Sequence, residues 1–268
     1  MVPEKPRLFT EERRTRIIQI LEKEHRVAVP DLAERFRVSE DTIRRDLRQL
    51  ESHQLIKKTH GGALRHTAPL VAYDTRREQA SATKEAIGER AAALVDEGDA
   101  IIVDGATTAL PFAAALTAPR LKVLTNSLEI AQIVLQKPNI ELIVLGGKWD
   151  PYHHQLIGPA TLDQIPRYRV DKLFLGVGAL DRKNGLTEQT EEDAAVKRAM
   201  IEVAQQIIVL ADHSKFGRVA FACVAPASVV DVLITDELAD CGEFEDLDWE
   251  IIRVPGTPAE PADFSPER

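Results

Sequence analysis

The chain has 268 residues, 44% of them apolar, and carries 34 Lys and Arg against 43 Asp and Glu for a formal net charge of −9. That is room for one large domain or a small one plus a medium one, and the composition excludes the disordered and collagen-like classes. No run reaches membrane-spanning length, MVPEKPRLFTEERRTR contains no signal-peptide core, and Cys223 and Cys241 have no metal or redox spacing; a soluble cytoplasmic protein without a disulfide framework is expected.

The charge is divided unevenly. Met1 to His66 holds fifteen Lys and Arg against eleven Asp and Glu, whereas the remainder holds nineteen against thirty-two. A basic module precedes an acidic one, and a polyanion would meet only the first. In EERRTRIIQILEKEH, Ile17, Ile18 and Leu21 recur at helical spacing, with Glu11 and Glu12 near the positive end of the helix. VAVPDLAERF starts a second helix at Pro30 and buries Leu32, Ala33 and Phe36. After a tight turn at Arg37 and Val38, Ser39 is a good N-cap for a third helix, with Glu40 and Asp41 in its first turn. At 100° per residue, Ile43, Leu47 and Leu50 share one side of this helix, and Asp41, Arg45, Arg48 and Ser52 the other. In LIKKTHGGALR, Gly61 and Gly62 turn between two extended runs bearing Lys57, Lys58 and Arg65. This is the layout of a winged helix-turn-helix: the third helix would enter a major groove and the wing lysines would neutralise phosphates.

Residues 66–82 are polar, contain Pro69 and show no sustained periodicity, which predicts a linker. Beyond the helical pattern KEAIGERAAALV, the runs AIIVD, LKVLTN, IELIVLGG, DKLFLGVG, QIIVLAD and VDVLITD alternate with helical segments. They are apolar and β-branched enough to be strands buried on both faces, so an α/β domain with a largely parallel sheet is expected over 83–237. Residues 238–268, rich in Pro and acid, are set apart as a C-terminal extension. Ligands of such sheets bind beyond the carboxyl ends of the strands. There stand Asp104, Thr107 and Thr108 in DGATT, then Asn126 and Ser127, Gly146 and Gly147, Gly176 and Gly178, and Lys215 in ADHSK. Backbone N–H groups and threonine hydroxyls at a helix start would cradle a phosphate, and Lys215 would oppose its charge. Lys197 or Arg198 could assist from the preceding helix, but on an amphipathic helix they read more readily as a solvated face. His153 and His154 are adjacent and point different ways, so no metal site is expected. GVGAL lacks the third glycine of a dinucleotide fingerprint, and no cofactor is expected.

The stretch from ERRTRIIQILEKEH to HGGA, above all TIRRDL followed by HGGA, resembles the DNA-binding domain of the DeoR family of bacterial transcription regulators. DGATT, TNS, LGG, LIGP, EEDAAVKRAMI and ADHSKFGR resemble, in order, that family's sensor domain. The resemblance implies a winged helix over 7–65, in which Thr42, Arg44 and Arg45 contact operator DNA; Ser39, Arg48, Lys57 and Lys58 complete the expected interface. It also implies an α/β sensor similar to the ribose-5-phosphate isomerase fold, a phosphorylated sugar or polyol as effector, and repression without catalysis. Carried over residue by residue, the effector site is Asp104, Thr107, Thr108, Asn126, Ser127, Gly146, Gly147, Glu191 and Lys215. Gly105-Ala106 and GALD at Gly178 to Asp181 depart from the family pattern. A single winged helix buries too little to select one genomic site, so a homo-oligomer is expected. The alternative is a sugar-phosphate isomerase or hydrolase with an accessory winged helix, using Asp104, Asp181 or Glu191 as general base.

Overall fold

The computed structural model describes residues 13–14, 16–17, 20–21, 26–52, 56–59, 61–65 and 73–257. The expectations resting on Glu11, Glu12, Ile18, residues 66–72 and residues 258–268 lie outside them. Between Leu70 and Val71 the chain divides into two compact units.

In the first unit, Arg13, Arg14, Arg16, Ile17, Ile20 and Leu21 are helical. The helix Val29–Phe36 has Pro30 in its first turn, where a missing N–H costs nothing. It stops at Arg37, whose left-handed φ of 54° turns the chain while its N–H meets the carbonyls of Ala33 and Glu34. The helix Glu40–Ser52 starts at once, its Thr42 N–H donating to Ser39 Oγ at 3.2 Å. Ile17, Leu21, Leu32, Ile43, Leu47 and Leu50 pack into one core with Val27 and Val29. Asp46 lies inside this apolar stripe and is buried, because Arg13 Nε reaches it at 2.6 Å and Arg14 Nε at 3.3 Å.

The wing strands Ile56–Thr59 and Gly62–Arg65 are antiparallel, and a third strand, Arg26–Ala28, pairs with the second of them. The two glycines of the turn differ. A Cβ on Gly62 would overlap the carbonyl oxygen of Val27, whereas one on Gly61 meets nothing. Gly62→Ala is therefore expected to destabilise the first unit by about 1–3 kcal/mol, as overpacking against backbone does. Gly61→Ala should stay within about 0.5 kcal/mol. Thermal unfolding of both variants checks this, and equal effects would show that the close approach to Val27 is not what requires glycine.

The second unit is built on seven parallel strands in the order Glu250–Val254, Val232–Asp236, Ala204–Leu210, Val170–Gly176, Ala100–Val103, Leu121–Thr125, Ile140–Val144. The chain lays down Ala100–Val103 first and builds outward through Leu121–Thr125 to Ile140–Val144. It then returns to place Val170–Gly176 on the other side and builds outward again, so the topological switch lies between Ala100–Val103 and Val170–Gly176. Side chains alternate across the sheet. Ile101, Val103, Phe174, Ile208 and Leu210 join the core under the helices Ser81–Ala92, Ala109–Ala115 and Leu128–Val134. Ile102, Leu173, Leu175 and Val209 join the core under the helix Glu191–Val203. Each such side chain is worth about 1.5–3 kcal/mol when fully buried, which is why these positions are apolar on both faces. Two additions flank the carboxyl ends of the sheet strands: a hairpin of Lys148–Asp150 and Gln155–Ile157, and a small sheet of Ala179–Asp181, Gly185–Glu188 and Ala222–Ala225.

Two expected boundaries are corrected. Residues 238–268 do not all stand apart from the sheet, since Glu250–Val254 pairs along its length with Val232–Asp236 as an edge strand. An edge needs only one paired side, so its apolar run is short and alternates with the exposed Arg253. The supposed linker is structured from Tyr73 onward. Tyr73–Glu78 is a helix held by the buried Tyr73, whose OH donates to Glu129 Oε2 at 2.7 Å and whose ring stacks on His154 with centroids 4.1 Å apart. Among the described residues no helix is long and apolar enough to cross a membrane.

Candidate functional site

The loops that leave the switch point enclose a pocket of the second unit, and its floor is a charge cluster. Thr190 caps the helix Glu191–Val203 by accepting the Asp193 N–H at 3.3 Å, which sets Asp193 and Lys197, four residues apart, on the buried side beside Val196 and Met200. Lys197 Nζ donates to Gly176 O at 2.8 Å and to Glu188 Oε1 at 2.7 Å; it lies 3.0 Å from Asp104 Oδ2 and 3.8 Å from Asp193 Oδ2. Lys197 is 3% exposed, so the expectation of a solvated lysine is corrected: three carboxylates hold it in place of water. Arg198, half-buried, pairs with Glu191 and Cys223 O.

Burial works against the charged form of every member, and the partners decide the outcome. Lys197 is held above the ordinary lysine value because Asp104, Asp193 and Glu188 outweigh its desolvation. Glu188 is desolvated too, yet the Lys197 charge and hydrogen bond hold its carboxyl below the usual range. Asp193 goes the other way: burial, with the charges of Glu188 and Asp104, lifts it well above the usual range against the more distant Lys197. Asp104 Oδ2 also accepts the Gly176 N–H at 3.1 Å, while its Oδ1 is buried without a partner. A Cβ at Gly176 would overlap that of Ala106, so glycine lets the first loop lie on this strand end.

One wall is cationic and rich in donors. Thr107 and Thr108 line it ahead of the helix Ala109–Ala115, and Thr108 occupies the N-cap position without using its side chain as a cap. Lys215 faces them; burial lowers its pKa although Asp212 and Glu188 oppose this. Arg76, a lining residue not expected from the sequence, comes from the helix Tyr73–Glu78. Its guanidinium lies 5.6 and 5.2 Å from the ring centroids of Tyr73 and Tyr152, Nη2 donates to Tyr152 O at 3.0 Å, and Nε is buried without a hydrogen-bond partner. Lys84 donates to Arg76 O, and burial pushes its ammonium down to about 8 against the pull of Asp212.

The opposite wall comes from the hairpin. His153 Nδ1 lies 2.5 Å from Asp150 Oδ2, and burial lowers the pKa of the ring despite that hydrogen bond. Gln155 Nε2 donates to Asp193 Oδ1 at 2.6 Å, and Gln155 Oε1 accepts from Asn126 Nδ2 at 3.2 Å. The two adjacent histidines do part, as their sequence neighbourhood suggests, with His154 on Glu129. Among the described residues, the group that could hold a metal ion is instead His153, Glu188 and Asp193, whose donor atoms lie within 4.8 Å of one another.

Of the residues expected here, Asp104, Thr107, Thr108 and Lys215 come together, and Asn126 stands one residue behind through Gln155. The others serve the frame. Ser127 caps the helix Leu128–Val134, Gly146 O accepts from Thr161 Oγ1 at 2.8 Å, and a Cβ on Gly147 would overlap that hydroxyl. Glu191 is exposed on Arg198, and Asp181 accepts the N–H groups of Lys183 and Asn184 in a turn. Sequence reasoning misses Glu188, Asp193, His153 and Arg76 as site residues, and it favours solvent for Lys197. For Asp193 and Lys197 a signal existed: charges at i and i+4 inside an apolar stripe.

On the first unit, Arg45 and Arg48 are exposed along Glu40–Ser52, and Thr42 is partly so. Arg44 pairs with Glu40 at 2.6 Å and Asp41 at 3.4 Å, exposed contacts that a phosphate can replace at little cost. Arg45 has no ion pair among the described residues. Lys57 and Lys58 belong to the strand Ile56–Thr59, and their side chains lie outside the described residues.

A helix that presents exposed arginines on a small unit of helices and a wing, and a pocket with a cationic wall at the switch point of a parallel sheet, fit the class of DNA-binding proteins that carry a ligand site. Known families agree. Residues 13–68 match the DeoR-like helix-turn-helix domain and residues 79–237 the DeoR C-terminal sensor domain. The chain is 38% identical over 233 residues to the HTH-type transcriptional repressor GlcR of Bacillus subtilis, covering 86% of this chain and 90% of that protein. It is 34% identical over 227 residues to the glycerol-3-phosphate regulon repressor of Escherichia coli, covering 84% and 90%. Ribose 5-phosphate isomerase A of Methanocaldococcus jannaschii is a structural neighbour at 19% identity and a TM-score of 0.37, with 51% of this chain matched to about half, 54%, of that one. The chain belongs to the DeoR family of transcription regulators.

Proposed function

We propose that this protein is a cytoplasmic homo-oligomeric repressor. It grips operator DNA through Arg44, Arg45 and Arg48, with Ser39 and Thr42 at the helix start and Lys57 and Lys58 on the wing, and it lets go when a phosphorylated sugar or polyol fills the sensor pocket. The observation that carries this is the pairing of a donor wall, Thr107, Thr108, Lys215 and Arg76, with a floor on which one ammonium, Lys197, ties the carboxyl groups together. A phosphate has unspent donors on that wall and carbon-bound hydroxyls have polar atoms across from it. Arg76 adds a route for the signal, because its helix follows the DNA-binding unit in the chain; a ligand that draws Arg76 in would favour one conformation over another. The relative named for a glycerol-3-phosphate regulon supports this ligand class.

The isomerase alternative keeps one observation in its favour, a lowered Glu188 beside a raised Asp193. Against it, Asp104 is bound to Lys197, and Asp181 and Glu191 serve a turn and a surface pair. We expect no turnover of aldose or ketose phosphates. The deciding measurement is operator binding by fluorescence anisotropy with a panel of sugar and polyol phosphates. Arg45→Ala should weaken operator binding about 10- to 100-fold and relax base preference, as loss of a bidentate guanine contact does. A variant that binds as tightly as the parent, or a panel that never releases DNA, would reject the proposal.

A further inference from the structure

One wall of the pocket is rich in acceptors. His153 is 3% exposed, and its Nδ1 lies 2.5 Å from Asp150 Oδ2. An ionised carboxylate has no proton to give, so Nδ1 carries the hydrogen and Nε2 presents a lone pair. That Nε2 is buried without a hydrogen-bond partner, 3.8 Å from Asp193 Oδ2, and Glu188 completes the group. Asp104 Oδ1 is a second buried oxygen that receives nothing. Two donors beside this group are already engaged, Lys197 on Gly176 O and Glu188, and Gln155 Nε2 on Asp193.

We propose that His153, Asp193 and Glu188 form a hydroxyl-binding subsite that selects phosphorylated chains ending in neutral hydroxyls and rejects those ending in a carboxylate. This rests on the reading of the pocket as an effector site. His153 Nε2 accepts from one hydroxyl and Asp193 from a neighbouring one, while the phosphate lies against Lys215 and Thr107. A terminal carboxylate would offer these acceptors nothing and would add a charge where three carboxylates share one ammonium. A divalent cation is the rival occupant of the same donors. It is disfavoured because the Lys197 ammonium is already 2.7 Å from Glu188 Oε1 and 3.8 Å from Asp193 Oδ2.

Matched pairs test it. Titrations of the full chain would compare glycerol 3-phosphate with 3-phosphoglycerate and glucitol 6-phosphate with 6-phosphogluconate, each pair differing only in a terminal CH2OH or carboxylate, alongside inorganic phosphate and Mn2+ or Zn2+ alone. In at least one pair the polyol should bind at least about tenfold more tightly than its acid. His153→Phe keeps the ring but deletes Nε2; it should erase the preference and leave inorganic phosphate binding unchanged, and His153→Gln should restore part of it. Acids binding as well as polyols in both pairs, a polyol affinity untouched by His153→Phe, or stabilisation by metal alone that His153→Phe abolishes would each overturn the proposal. Should His153→Phe fail to fold, the pairs measured on the parent still decide. Inorganic phosphate separates the two readings: if it binds through Lys215 while neither pair discriminates, only the subsite falls, and if nothing phosphorylated binds, the effector reading falls with it.

Discussion

Replacing Lys197 with methionine should cost the sensor domain about 3–5 kcal/mol, the usual penalty for removing one partner from a buried ionic cluster. Methionine matches the volume, so the loss is one of charge. Asp104, Glu188 and Asp193, all buried, would lose the ammonium that now touches Gly176 O, Glu188 and Asp104, and any of them still ionised would be an uncompensated buried charge. The pH dependence gives the argument its sign. Glu188 is held low in the folded protein, so its pairing contributes stability above the ordinary carboxylate range and loses it as pH falls. Asp193 is raised, so its contribution is full at low pH and is lost as pH rises through its folded value. Without Lys197 both carboxyls should favour the protonated form on folding, and the stability gap between variant and parent should narrow between about pH 7 and pH 5. Urea unfolding at the two ends of that range measures it. A gap below about 1 kcal/mol, or one that widens in acid, would mean that Lys197 is not the neutralising charge.

The second large effect separates the two units. Thr107→Val with Thr108→Val, and separately Lys215→Ala, should leave operator binding near the parental value and yet abolish release by the effector. The substitutions are confined to the sensor, and the winged helix has its own core of Ile17, Leu32, Ile43 and Leu47. Losing a charged hydrogen bond to a phosphate should lower effector affinity about 10- to 100-fold. Because burial depresses the Lys215 pKa, effector affinity in the parent should also decline at a lower pH than for an ordinary lysine, as the ammonium loses its proton. A reporter strain and anisotropy titrations read both results. Normal release in both variants would place the ligand elsewhere, and loss of repression in both would assign these residues to folding or assembly.

Much of this architecture is local and therefore legible. Six of the seven sheet strands are recognisable by runs dominated by Ile, Val and Leu, because a parallel strand covered on both faces has few polar positions, and several of those, such as Lys122, Glu141, Lys172 and Gln205, fall toward the amino ends. The third helix announces itself by Ser39 and by the spacing of Ile43, Leu47 and Leu50, and Thr107, Thr108 and Lys215 are visible because they follow strand ends. The edge strand Glu250–Val254 escaped because pairing on one side demands only alternation. Asp46 and Lys197 escaped for a shared reason: a charge within an apolar stripe is read as exposed unless its partner is known, and the partners, Arg13 in one case and Asp104 and Glu188 in the other, come from other elements.

The sequence by itself determined the two modules, their order, the arginine-bearing third helix and the class of sheet, since each depends on periodicity and composition within a few turns or strands. Only the tertiary structure decided what fills the pocket floor and walls. Asp104, Gly176, Glu188 and Lys197 meet across the switch point from four segments of the chain, with His153 and Arg76 brought in from a hairpin and a connecting helix. The charge state of each depends on the others, through desolvation set against Coulomb attraction at 3–4 Å, and that balance exists only once the sheet has brought them together.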